Sequence, residues 1–255
     1  MPIDRNLWKP RYDTFPRWPC PACSTGRLHV VDETLKKLDA SAAAAGHDAW
    51  EPDWIRYRFC CLLRYDIPEC AEIVALAGIG QVEEVGDGIS EERYEARYSP
   101  KFFVDVPPII QVADEVPETI SQRLKADFAL YWVDSDASAN KIRAAVEALL
   151  DDQSVRKTLV DRNGKRRRID LYNRIVAYKD RHEDAAKALL AIKWLGNVGS
   201  HSNGSGSSKS KVLNALDIFS HVLEVLYVRN AQRIARLAAR INRQRGLGSQ
   251  RRSAA

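Results

Sequence analysis

The sequence predicts an α+β protein: a β-rich module over residues 1–110, an all-α helical bundle over 115–228, and a long basic C-terminal helix and tail over 229–255. Three observations predict it. Apolar and polar residues alternate in the first third, as from Trp54 to Phe59 (WIRYRF), which is the period of a half-buried strand. Pro107-Pro108 breaks that pattern. Beyond Pro117 the apolar period becomes 3.6, that of an amphipathic helix.

Composition excludes several classes. With 45% hydrophobic residues and six Trp among 255, the chain is too apolar to be disordered throughout. It has no run of about 18 apolar residues, so no membrane span is expected. The opening MPIDRNLWKPRYDTFPRW lacks the apolar centre of a signal peptide, and a cytoplasmic location is expected.

The strands are expected at Trp54 to Phe59, Glu72 to Leu76, Arg93 to Tyr98 and Phe102 to Val104. Gly78, Gly80, Gly86, Gly88 and Pro100 read as turns between them. The Ala-rich stretch from Asp32 to His47 reads as a helix or a loop. After Pro117, which suits a first helical turn, Ile120, Leu124, Phe128 and Tyr131 share one face. Asp134 or Asp136 can cap a second helix with Ile142, Val146, Leu149 and Leu150 inward. A short third helix is expected near Leu171 to Tyr178, and a fourth over Glu183 to Leu195 with Ala185, Leu189 and Ile192 inward. The last helix has Val212, Leu216, Phe219, Leu223 and Leu226 on one face and continues to about Arg243. Between these, Arg156 to Arg168 reads as a basic hairpin or exposed loop turning at Asn163-Gly164. The stretch from Gly199 to Ser210 is too polar to pack and reads as a flexible loop.

Five cysteines stand at 20, 23, 60, 61 and 70. Without an export signal a metal explains their clustering better than disulfides. Cys20-Pro-Ala-Cys23 has the spacing by which two thiolates of one tight turn grip Zn²⁺. A closed structural site needs four ligands, which Cys20, Cys23, Cys70 and either Cys60 or Cys61 can supply, with His29 in reserve. Cys61 is taken as the fourth ligand. The competing reading is a degenerate ribbon with free thiols.

Charge is unevenly placed. From Arg229 to the end there are eight Arg and no acid, while the rest of the chain has a net charge of −3. Arg229, Arg233, Arg236, Arg240 and Arg243 advance by four and three, so they share a helix face that can track a phosphate backbone. Lys165, Arg166, Arg167 and Arg168 can extend that surface if they fold nearby. RNA or DNA is the expected partner, with docking on an acidic protein or a solubilising tail as alternatives.

The most specific feature runs from Ile192 to His201 (IKWLGNVGSH), preceded upstream by the segment from Asp136 to Glu147 (DASANKIRAAVE). Together they resemble the domain of unknown function 4145, a branch of the HEPN superfamily, over about residues 115–228. The N-terminal Cys20-x-x-Cys23 is similar to the zinc-ribbon-like segment that often precedes it. There a second Cys pair is usual, and here Tyr65 stands where the partner of Cys70 would fall. The resemblance implies a helical bundle that dimerises, found in phage-defence and mobile-element systems. Its catalytic members cleave RNA without a metal, using an R-x₄₋₆-H pair in which Arg holds the phosphate and His moves the proton. His201 matches the histidine, but positions 194 to 196 are Trp194, Leu195 and Gly196. Only Lys193 and Asn197 stand near to replace the Arg. The leading expectation is therefore a non-catalytic or weakly catalytic nucleic-acid adaptor. The alternatives are an endoribonuclease using His201, Asn197 and Lys193, and a structural module that docks on an acidic partner.

Overall fold

The computed structural model describes residues 2–23, 25–67, 69–85, 93–201 and 208–252. The N-terminal part is a five-stranded antiparallel sheet: β1 (Leu28–Val30), β2 (Lys36–Asp39), β3 (Arg56–Tyr65), β4 (Ile73–Val85) and β5 (Arg93–Val104). The order is β1-β3-β4-β5, with β2 also paired to β3. Strict alternation along β3 buries Tyr57, Phe59, Cys61, Leu63 and Tyr65 and turns the intervening residues outward.

Four expectations are corrected here. Gly78, Gly80 and Pro100 are strand residues, and the two short strands expected at 93–98 and 102–104 are one, β5. The reason is packing. A Cβ on Gly80 would lie 1.9 Å from the Tyr57 ring, and one on Gly78 would lie 2.4 Å from the Ser99 carbonyl oxygen. These glycines let inward aromatic rings lie flat on β4. Pro100 faces Gly78 where the register shifts, a bulge that spares it a ladder donor. Gly86 and Gly88 lie outside the described residues. The stretch from Asp32 to His47 holds β2, not a helix, because β3 offers it a free edge and Lys37 lies over the Tyr57 ring. Trp54 ends a short 3₁₀ turn (Pro52–Trp54) and is not part of β3.

The C-terminal part is helical: α1 (Glu118–Tyr131), α2 (Ser135–Asp152), α3 (Leu171–Tyr178), α4 (Glu183–His201), α5 (Lys209–Leu223) and α6 (Arg229–Arg252). A single π turn, Glu224–Val228, joins α5 to α6. Every apolar position expected to face inward on α1, α2, α4 and α5 is buried. Asp134 caps α2 by accepting hydrogen bonds from the Asp136 and Ala137 amides. The basic stretch is a hairpin of β6 (Thr158–Val160) and β7 (Arg166–Arg168), with Gly164 at φ +75° in its turn. Helix α4 does not stop at Leu195. Gly196 and Gly199 each cost about 1 kcal/mol of propensity. That is too little to end a helix whose Ala186, Leu189 and Ile192 are buried in packing against α2 and α5. Residues 199–201, expected in a loop, therefore belong to α4, and Ser208 caps α5. Residues 202–207 lie outside the described ones. No helix of the described residues is long and apolar enough to cross a membrane.

One continuous core spans sheet and helices. Among its few polar members is Asp127, fully buried on the apolar stripe of α1. The Ser138 hydroxyl donates to one carboxyl oxygen at 2.5 Å, and the other has no partner among the described residues. Burial raises its pKa to about 7, against a smaller lowering by Ser138. A carboxyl whose folded pKa lies above its unfolded value contributes stability below the unfolded pKa and loses it as pH rises through the folded one. The unfolding free energy should therefore fall between pH 4 and 7 by about 1.4 kcal/mol per pH unit for this group, and the melting temperature should fall with it. Asp127→Asn should lack that component. Parallel wild-type and variant melting curves against pH contradict it.

Candidate functional site

The thiol cluster is built by two turns at one end of the sheet. The first turn lies between Trp18 and Leu28, whose backbones bond at 2.8 Å, and it carries Cys20 and Cys23. The second links β3 to β4 and carries Cys70, whose amide bonds to the Ile67 carbonyl. Pairing of Leu28 with Tyr65 sets the two turns side by side, and the Arg27 amide donates to Asp66 across them.

The sulfur atoms of Cys20, Cys23 and Cys70 lie within 4.8 Å of one another, and Cys20 Sγ is 3.7 Å from Cys70 Sγ. This group can hold a metal ion. Cys20 is buried, Cys70 half-buried and Cys23 exposed. The Thr25 hydroxyl donates to Cys23 Sγ at 3.4 Å and is the main reason that the thiol falls to about 6. Cys70 is pushed up to about 11 by burial and by its neighbour thiols. Tyr65, which stands where the resemblance would put the partner of Cys70, has its hydroxyl 3.2 Å from the Thr25 hydroxyl. Its ring occupies the space that a Cβ on Gly26 would need.

Cys61 does not join the cluster. It is an inward residue of β3, opposite Leu76, and burial raises its thiol to about 11. Cys60 is an exposed residue of the opposite face, so strand alternation parts the adjacent cysteines. Elemental analysis of purified protein should therefore find metal lost in Cys20→Ser and Cys70→Ser but kept in Cys61→Ser. Loss in Cys61→Ser alone contradicts the cluster.

The candidate catalytic residues Lys193, Asn197 and His201 all belong to α4. Spaced by four, they follow one stripe of its backbone. Asn197 is thus within the helix and not in a terminal turn, because α4 runs on to His201. The side chains of Asn197 and His201 lie outside the described ones. The Lys193 ammonium sits 3.9 Å from the Trp194 ring centre and 5.4 Å from that of Tyr172. Cation–π contacts thus already occupy it.

The two basic elements are anchored separately. The hairpin is tied to α2 by Arg168 on Glu147 and Lys157 on Asp151. Within it Arg167 pairs with Asp161 at 2.7 Å. Lys165 and Arg166 have no ion pair among the described residues. Helix α6 leaves the bundle at the π turn, where Tyr227 Oη donates to Asp152 at 2.7 Å. Arg229 pairs with Glu224, and the Arg243 guanidinium donates to the Ala239 carbonyl. The side chains from Gln232 to Arg243 are exposed, Arg233, Arg236 and Arg240 among them. So are Ile234, Leu237 and Ile241 on the neighbouring face.

Sequence reasoning missed two features. Thr25 is one: its hydroxyl meets Cys23 Sγ and the Tyr65 hydroxyl, a meeting that depends on the β1–β3 pairing. The sheet's outer face was missed because a half-buried strand was expected to turn polar residues outward.

No curated protein and no solved structure matches this chain significantly. Two family models do match. Residues 11–103, the sheet and its thiol turns, match a domain of unknown function, DUF8608. Residues 125–244, from α1 through the first two thirds of α6, match the domain of unknown function DUF4145.

Proposed function

We propose that the protein is a nucleic-acid-binding adaptor whose helix α6 lies along a phosphate backbone. The observation that carries this reading is the exposure of an acid-free Arg stripe. Arg236 and Arg240 are exposed and have no carboxylate partner among the described residues. Charge so placed stays free to displace counterions from a nucleic acid. The reading includes a HEPN-like dimeric bundle for the helical part, supported by the DUF4145 match and by the packing of α2 against α1, α4 and α5. It places the protein in phage-defence or mobile-element systems, as that resemblance implies.

In the same reading Cys20, Cys23 and Cys70 hold a structural Zn²⁺, and any weak RNA cleavage would need no cofactor. A tetrahedral zinc with Zn–S near 2.3 Å has sulfur–sulfur edges of about 3.8 Å. The 3.7 Å between Cys20 and Cys70 fits such an edge. The ion would cross-link the two turns.

The test is a mobility or anisotropy titration with duplex DNA and RNA over a range of salt. Arg236→Glu with Arg240→Glu should weaken binding and flatten the salt slope by about 0.9 per lost phosphate contact. His201→Ala should bind as the wild type does, and RNA incubated with wild type in EDTA should stay intact. Salt-independent or absent binding would move the weight to an acidic protein partner. RNA cleavage that His201→Ala abolishes would replace the adaptor with an endoribonuclease.

A further inference from the structure

The outer face of the sheet is unusual. Sheet faces turned to water normally alternate to polar residues. Here Phe102 and Val104 on β5 are 65% and 67% exposed, and Leu38 on β2 is 77% exposed. Leu62, Ile73 and Ile79 are exposed between them. The register places these residues together. One row runs Leu38, Arg58, Ile79 across β2, β3 and β4. The next ends Cys60, Ala77, Phe102, and the third runs Leu62, Ala75, Val104. A contiguous apolar patch of this kind marks an interaction surface.

The charge on the patch is of one sign. Lys36, Arg56, Arg58 and Arg64 are exposed outward residues with no ion pair among the described residues. The acids of this face, Glu83 and Glu95, lie at its far end and are met there by Arg97 and Arg11. The rows around Phe102 therefore combine apolar platforms with unpaired cations.

We propose that this face binds single-stranded nucleic acid, with Phe102 stacking on a base and Arg58 and Arg64 holding phosphates. The interleaving selects the ligand. A protein interface is depleted of charge at its centre and, of the cations, admits Arg more readily than Lys, whereas here Lys36 stands in the row of Phe102. Here Arg58 stands on the middle strand, between Leu38 and Ile79. A duplex hides its base faces and would set phosphates against Ile79 and Phe102. A single strand presents bases and phosphates in alternation and needs both kinds of side chain. The small Ala75 and Ala77 beside Val104 and Phe102 leave room for a flat base. The inference shares only its ligand class with the proposed function, because the surface is separate from α6.

Labelled oligo(U) and oligo(dT) of about 15 nucleotides, within the span one such sheet covers, are the probes. Anisotropy titrations should show salt-dependent binding of at least one of them, and the pair separates RNA from DNA. Phe102→Ala should weaken it about tenfold, and Phe102→Trp should retain it. Arg58→Glu with Arg64→Glu should flatten the salt slope by about 0.7 per lost contact. All these side chains point away from the core, so circular dichroism should be unchanged. Phe102→Ala should still weaken single-strand binding in a protein that also carries Arg236→Glu and Arg240→Glu. Absence of oligonucleotide binding overturns the proposal, and so does binding that only the α6 substitutions reduce. Duplex binding separately decides the reading of α6.

Discussion

An aromatic cluster joins the two halves of the chain, and the placement of every candidate site depends on it. Trp18, fully buried, meets Trp132 edge-on at 5.9 Å and Phe103 at 5.2 Å between ring centres. Trp132, the residue that ends α1, also touches Trp8 and Tyr131. Tyr131 donates from its hydroxyl to the Trp8 carbonyl, and the Trp18 indole donates to that of Leu7 at 2.7 Å. Rings of this size bury about 150–250 Å² each, so truncating one removes several kcal/mol of packing. Trp18 also begins the turn that carries Cys20 and Cys23, so the packing that joins the halves also aims the thiols.

A second set of bonds fixes the exit of α6. Asp151 at the end of α2 accepts from Arg174, a buried residue of α3, at 2.6 Å. Asp152 accepts from Tyr227 in the π turn. This acidic pair thus ties α2 to α3 and to the π turn. A π turn at such a point sets the angle at which the next helix departs. The exposed Arg stripe therefore projects from a braced base.

Much of the helical half was legible because its signals are local. Period 3.6 at Ile120, Leu124, Phe128 and Tyr131, and a capping Asp134, need no knowledge of distant residues. What was misread depends on partners far along the chain. Gly78 and Gly80 look like turns until Phe59 and Tyr57 are seen lying over them. β2 has little apolar pattern of its own and forms because β3 has an edge to fill. The end of α4 was misplaced because packing of its earlier turns outweighs two glycines. For the thiols, the sequence named the three that the fold brings together, Cys20, Cys23 and Cys70. The choice of Cys61 failed because alternation along β3 points it into the core. Asp127 could have been suspected, since it is a carboxylate within an apolar stripe, but the sequence does not reveal that its second oxygen lacks a partner.

The claim on which the account rests most is that the sheet and the helices share one core and hold their surfaces in a fixed relation. Chemical unfolding followed in parallel by tryptophan fluorescence and by far-ultraviolet circular dichroism tests it directly. Trp8, Trp18 and Trp132 report the junction between the halves, and the dichroism at 222 nm reports the helices. The account predicts coincident, single transitions that shift together to lower denaturant in Trp132→Ala. Two separated transitions, with the helical signal unmoved by Trp132→Ala, would contradict it.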